Sequence, residues 1–94
     1  MSRVIEEVDV ICQYKSDGEI IPIKFRFMND DGVYEEYAVK RYRLIQKNMS
    51  ITTNDGIYVI PDDRIFECKI DVLNISKVVR LYLSTRTIKW RLAI

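Results

Sequence analysis

The chain has no histidine, and among its 94 residues only two cysteines, two prolines and three glycines. Without histidine, the commonest general base near neutral pH and the commonest transition-metal ligand are both missing. A Ser-His-Asp or Cys-His catalytic site cannot be assembled within the chain. Cys12 and Cys68 stand far apart in sequence and, with no histidine, do not make a structural zinc site. The glycines Gly18, Gly32 and Gly56 are isolated turn residues and build no phosphate-cradling loop. No apolar run approaches the ~20 residues that cross a bilayer as a helix. The acids Glu6 and Glu7 stand where a signal peptide would carry its apolar stretch. The expectation is one cytoplasmic domain over residues 1–94, with reduced thiols, no metal, no cofactor and no membrane partner.

What the chain does contain is strand chemistry. Hydrophobic residues are 48% and charged residues 31%, a globular balance, and the apolar residues are mainly Val, Ile, Tyr and Phe rather than Ala. Val8, Val10, Cys12 and Tyr14 alternate with Asp9, Ile11, Gln13 and Lys15, and a turn follows at 15–19. Ile21, Ile23, Phe25 and Phe27 then alternate with Pro22, Lys24, Arg26 and Met28, the cleanest period-2 segment in the chain. Its Ile/Phe face is expected to be buried, with Pro22 marking an edge or the beginning of the strand. Asp31-Gly32 signals a tight hairpin.

Residues 33–45 carry two readings. As a helix they place Glu35 and Glu36 early and Lys40, Arg41, Arg43 and Lys47 late, which suits the helix dipole. As a strand they follow naturally from the preceding hairpin turn. That turn selects the strand, from 33 to about 42, with a bulge near Lys40. Residues 46–56 read as a loop and Ile57 to Ile60 as a short strand. Further on, Phe66, Cys68, Ile70 and Val72 form one alternating set, and Val79, Leu81 and Leu83 another. After a turn near 84–87 come Ile88, Trp90 and Leu92, with Trp90 expected in the core. The pattern predicts an all-β fold: a six- or seven-stranded antiparallel meander closing into an SH3-like or OB-like barrel or a compact sandwich.

The spacing Cys12-x5-Gly18-x-Ile20-Ile21-Pro22-Ile23-Lys24, followed by a hairpin and a late meander bearing Tyr and Trp, resembles short uncharacterised bacterial β proteins. The resemblance spans the chain and implies a bacterial intracellular setting. It implies no activity and assigns no residue a role.

Charge is unevenly spread. Residues 1–36 hold nine acids against four bases, whereas residues 77–94 hold five bases and no acid. Such asymmetry marks either an interaction surface or strands that pair their charges side by side. The acidic neighbours Glu6-Glu7, Asp30-Asp31, Glu35-Glu36 and Asp62-Asp63 do not read as catalytic pairs. Adjacent strand residues point to opposite faces, and Asp in turns serves the backbone. The expectation is therefore a non-enzymatic binding domain. Outward parity is expected to gather Lys24, Arg26, Lys40, Arg41, Tyr42, Arg80, Tyr82, Lys89 and Arg91 into a basic and aromatic sheet face. Small β domains hold single-stranded nucleic acid with such a mixture of cations and stacking rings. The alternative is a protein-interaction or homodimerisation module that uses an exposed sheet edge.

Overall fold

The computed structural model describes residues 3–94, and among these there is no helix. The strands are β1 (Val4–Ile5), β2 (Asp9–Tyr14), β3 (Ile20–Met28), β4 (Tyr34–Ala38), β5 (Arg41–Ile45), β6 (Ile51–Thr52), β7 (Tyr58–Val59), β8 (Arg64–Val72), β9 (Ile75–Ser84) and β10 (Lys89–Ala93). They form a five-stranded sheet of order β1-β10-β9-β8-β5, a three-stranded sheet of order β2-β3-β4, and the small β6-β7 hairpin. Every pairing is antiparallel. The all-β expectation holds, with ten mostly short strands among the described residues rather than six or seven, and the single strand expected from 33 to about 42 is two strands, Tyr34–Ala38 and Arg41–Ile45, with no helix.

Two segments serve both large sheets. β1 pairs with β10 and β2 with β3, while β4 pairs with β3 and β5 with β8. The second change of sheet falls at residues 39–40. There the Val39 N–H donates to the Ile23 carbonyl and the Lys40 N–H donates to the Lys69 carbonyl, both at 2.8 Å. The irregularity expected near Lys40 is thus a corner that moves the chain from one sheet to the other. The sheets are joined at both flanks by bent chain, not by a continuous ladder. Among the described residues no closed hydrogen-bonded barrel forms.

The core lies between the two large sheets. Phe25 and Phe27 of β3 share one buried cluster with Phe66, Cys68 and Ile70 of β8, Val79 and Leu81 of β9, and Leu92 of β10. Full burial of one such side chain contributes about 1.5–3 kcal/mol. Trp90 packs at the margin of this cluster, its ring 5.8 Å from that of Phe66. A second, smaller cluster forms on the other face of the five-stranded sheet. Ile57 and Val59 from the β6-β7 region cover Ile65, Tyr82 and Ala93 there.

The alternation in β3 breaks at one point. Ile11 pairs with Lys24, but the next residue, Cys12, pairs with Pro22, so Ile23 is an extra, unpaired residue. This bulge inverts the parity of everything before it. Phe25 and Phe27 point inward as expected, yet Pro22 is buried and Ile23 is exposed. A second departure is at Ile88. The turn after β9 occupies 85–88, one residue further than expected, so Ile88 sits in the turn at a φ of 54° and is exposed.

The β8-β9 hairpin turns on two residues, Leu73 and Asn74, both at positive φ (51° and 65°). This is the type I′ geometry that matches strand twist. Asn tolerates it, whereas a leucine there is held against the steric preference of its Cβ. Leu73 is also 91% exposed, so its side chain recovers nothing by burial. Leu73→Asn is expected to stabilise the fold by about 1 kcal/mol, read as a raised urea midpoint at unchanged slope.

Candidate nucleic-acid interface

The outer face of the five-stranded sheet is set by register. Directly opposed residues share a face, so Arg43, Glu67, Arg80 and Ala93 form one row, and Ile45, Ile65, Tyr82 and Arg91 form the next. A third row holds Arg41, Lys69 and Val78. Lys89, opposite Ser84, lies beyond Arg91 on the same face.

The β6-β7 hairpin lies over this face and divides it. Its Ile51, Ile57 and Val59 pack on Ile45, Ile65, Tyr82 and Ala93. Tyr82, expected to be an exposed stacking ring, is only 2% exposed. Its hydroxyl donates to Asp55 Oδ2 at 2.5 Å and lies 3.0 Å from Thr53 Oγ1. Burial and the Asp55 carboxylate push the Tyr82 phenol up to about 12. Arg80 is also committed, with its guanidinium 3.5 Å from Asp55 and 3.6 Å from Glu67. Tyr82 and Arg80 therefore fasten the hairpin to the sheet.

The remaining expected residues fall into four places. Lys24 and Arg26 lie on the outer face of the three-stranded sheet, away from all the others. Both are matched there by acids, Lys24 by Glu36 at 3.4 Å and Arg26 by Asp9 at 2.8 Å. The Arg26 guanidinium also lies 4.5 Å from the centre of the Tyr34 ring. Lys89 and Arg91 lie together on β10. Arg41 lies on β5, with Lys40 at the corner that precedes it. Tyr42, opposite Cys68, points to the core-facing side of β5. Its ring meets Phe66 edge-on, and its hydroxyl donates to Glu19. The nine residues thus do not make one surface. The bent chain distributes them over two sheets, and a hairpin separates those that share a face.

Among the described residues, two of the cations that make no ion pair stand directly opposed. Arg41 and Lys69 are direct cross-strand partners, two like charges set opposite one another. Among the described residues neither makes an ion pair, and nor does Lys40, whose backbone bonds to that of Lys69. Arg43 stands beside them, 3.0 Å from Glu67, which it shares with Arg80. Arg41, Tyr42, Arg43, Glu67, Lys69 and Val78 line a shallow groove of about 220 Å³. Lys69 is the residue that sequence reading missed. It carried the right signal, outward parity in its strand, but Glu67 and Asp71 on either side masked it as part of a neutral run.

The acidic neighbours have structural duties. Asp63 is buried and accepts the backbone N–H groups of Ile60 and Thr85. No group of three or more Cys, Asp or Glu is placed to hold a metal ion among the described residues. Cys68 is fully buried, and burial pushes its thiol up to about 12, well away from a reactive thiolate. No helix of the described residues is long and apolar enough to cross a membrane. Compared with known protein families, curated proteins and solved structures, the chain matches none.

Proposed function

We propose that this is a non-enzymatic binding domain that holds a polyanion, single-stranded nucleic acid, on the Lys40, Arg41, Arg43 and Lys69 patch. The carrying observation is the like-charged pair Arg41/Lys69, neither of which makes an ion pair among the described residues although Glu67 stands nearby on the same face. Like charges directly opposite in a ladder destabilise it, by about 0.2–1 kcal/mol. Other sheet cations, Lys24, Arg26 and Arg80, each meet an acid. A phosphate chain lying along the groove would remove the repulsion and release counterions. Arginine suits this task because its planar fork meets phosphate oxygens two at a time. Tyr42 borders the groove, but its ring packs on Phe66 and its hydroxyl donates to Glu19, so the patch reads backbone charge rather than base identity.

Binding of labelled oligo-dT and oligo-U, followed by fluorescence anisotropy over a salt series, tests this. The expected result is binding at low salt whose logarithm falls linearly with that of salt. With three to four phosphates engaged the slope is about −2 to −3. Lys69→Glu turns the repelling pair into an attracting one. It is expected to stabilise the fold by up to about 1 kcal/mol and to weaken binding at least tenfold at low salt. Lys24→Gln, on the other sheet, is expected to change binding little. No binding at low salt, or equal binding by the Lys69→Glu protein, removes the proposal.

A second reading rests on a different observation. The β8-β9 hairpin runs past its neighbours, since β10 pairs only as far as Arg80 and β5 only as far as Lys69. The 75–79 side of β9 is left without a strand, next to exposed Leu73, Ile75 and Val78. A second copy of the chain could extend the sheet there. Light scattering over a concentration series decides it, because a strict monomer excludes this mode.

A further inference from the structure

Arg64 is a cation that lies outside the patch above. It opens β8 with the parity of Phe66, Cys68 and Ile70, and therefore points to the core-facing side of the sheet. It is partly buried, its Nε is shut off from water with no hydrogen-bond partner, and among the described residues it makes no ion pair. An unpaired buried guanidinium N–H costs about 1–3 kcal/mol unless something meets it.

Arg64 lines a cavity of about 390 Å³ at the flank where the two sheets part. The turn after β2 forms one wall, with Ile20 behind it, and Tyr42, Leu44 and Phe66 form the other. The three-stranded sheet does not cover β5 here. Tyr42 and Leu44 face the core side yet remain 36% and 39% exposed. Two acids stand at the rim, and both are occupied. Glu19 accepts from Tyr42 at 3.1 Å and from Lys15 at 3.2 Å, and Asp17 accepts the Glu19 N–H and lies 3.9 Å from Lys15. Arg64 also borders the pocket that holds Asp62 and Asp63. Asp63 there is engaged by the backbone of Ile60 and Thr85. The one charge left without a partner in the cavity is positive, and the walls around it are apolar.

We propose that this cavity binds a small apolar monocarboxylate. Its head meets the Arg64 guanidinium, and its hydrocarbon body lies against Ile20, Tyr42, Leu44 and Phe66. Carboxylate and guanidinium match as two parallel hydrogen bonds, and the volume lies within the usual range of small-molecule sites. The site is separate from the cationic patch, so either reading stands or falls without the other.

Octanoate, octanol and octylammonium, titrated into the intact protein and followed by amide chemical shifts, form the test. Octanoate is expected to bind saturably, with shifts centred on Ile20, Leu44 and Phe66, and about tenfold or more tighter than octanol. Octylammonium is expected not to bind. Arg64→Met should remove the preference for octanoate over octanol. Leu44→Glu, at a partly exposed position, should exclude octanoate while the fold stays intact, and it decides the matter if Arg64→Met does not fold. Equal binding of octanol, tighter binding of octylammonium, shifts centred elsewhere, or unchanged octanoate binding in either variant overturns the proposal.

Discussion

Phe66→Ala is expected to cost about 3–5 kcal/mol of stability. The ring is 1% exposed and lies in the cluster that joins the two sheets. It also touches two further aromatic rings, with centroids 6.1 Å away at Tyr42 and 5.8 Å away at Trp90. Removing it loses the transfer free energy of the ring and leaves a void. The void cannot collapse easily, because the flanking strands are held in ladders on both sides. A chain of this size has about 5–14 kcal/mol in total, so the variant should sit close to its unfolding midpoint without denaturant. Urea titration with Trp90 fluorescence measures this, since Trp90 is the single tryptophan and packs on Phe66. Leu44→Ala, one pairing step away on the open flank, should cost under about 1 kcal/mol. Similar losses in the two variants would show that the described cluster is not the core.

The second large effect is alkaline unfolding. Cys68 is raised from 9.0 to about 12 by burial, and Tyr82 from 10.0 to about 12 by burial and Asp55. Both groups favour their neutral form in the folded chain, so the folded state holds protons that the unfolded state releases first. The stabilisation is complete below pH 9 and is lost as pH rises from 9 toward 12. At ~1.4 kcal/mol per tenfold, the thiol accounts for roughly 4 kcal/mol and the phenol for roughly 3 kcal/mol. Together they approach the whole stability of a small domain. The wild-type protein should therefore unfold cooperatively in this interval. Cys68→Ala should flatten the fall that begins near pH 9, and Tyr82→Phe the part that begins near pH 10. The slope of stability against pH is the readout, because either substitution also shifts the baseline. Stability that stays level from pH 9 to pH 11 in the wild type would contradict the burial of both groups.

The alternation of Phe66, Cys68, Ile70 and of Val79, Leu81, Leu83 was legible because a buried face imposes a period of two on any long regular strand. All six are buried or part of the core as expected. The exceptions are local. Ile23 and Pro22 exchange faces at a bulge, and Ile88 leaves its face because the turn lies one residue further along than expected, while Trp90 and Leu92 keep theirs. A single inserted residue inverts parity, and it leaves no mark in composition. The candidate site was less legible than the fold. Arg41 and Lys40 could be seen in the sequence, but Lys69 became their neighbour only through the β5-β8 pairing. Tyr82 had the correct parity and the wrong surroundings, because a segment read as a loop folds over it.

By itself the sequence determined the strand content, the turns at Gly18, Gly32 and Gly56, the residues of the main core and the absence of histidine chemistry. These follow from local steric preference and from the face each residue takes along its own strand. Only the tertiary structure decided which cations stand together. Charges meet across strands distant in sequence, and the corners at residues 39–40 and between β1 and β2 send neighbouring segments to different sheets. Parity states on which side of a strand a charge lies; the pairing of strands alone states what lies next to it.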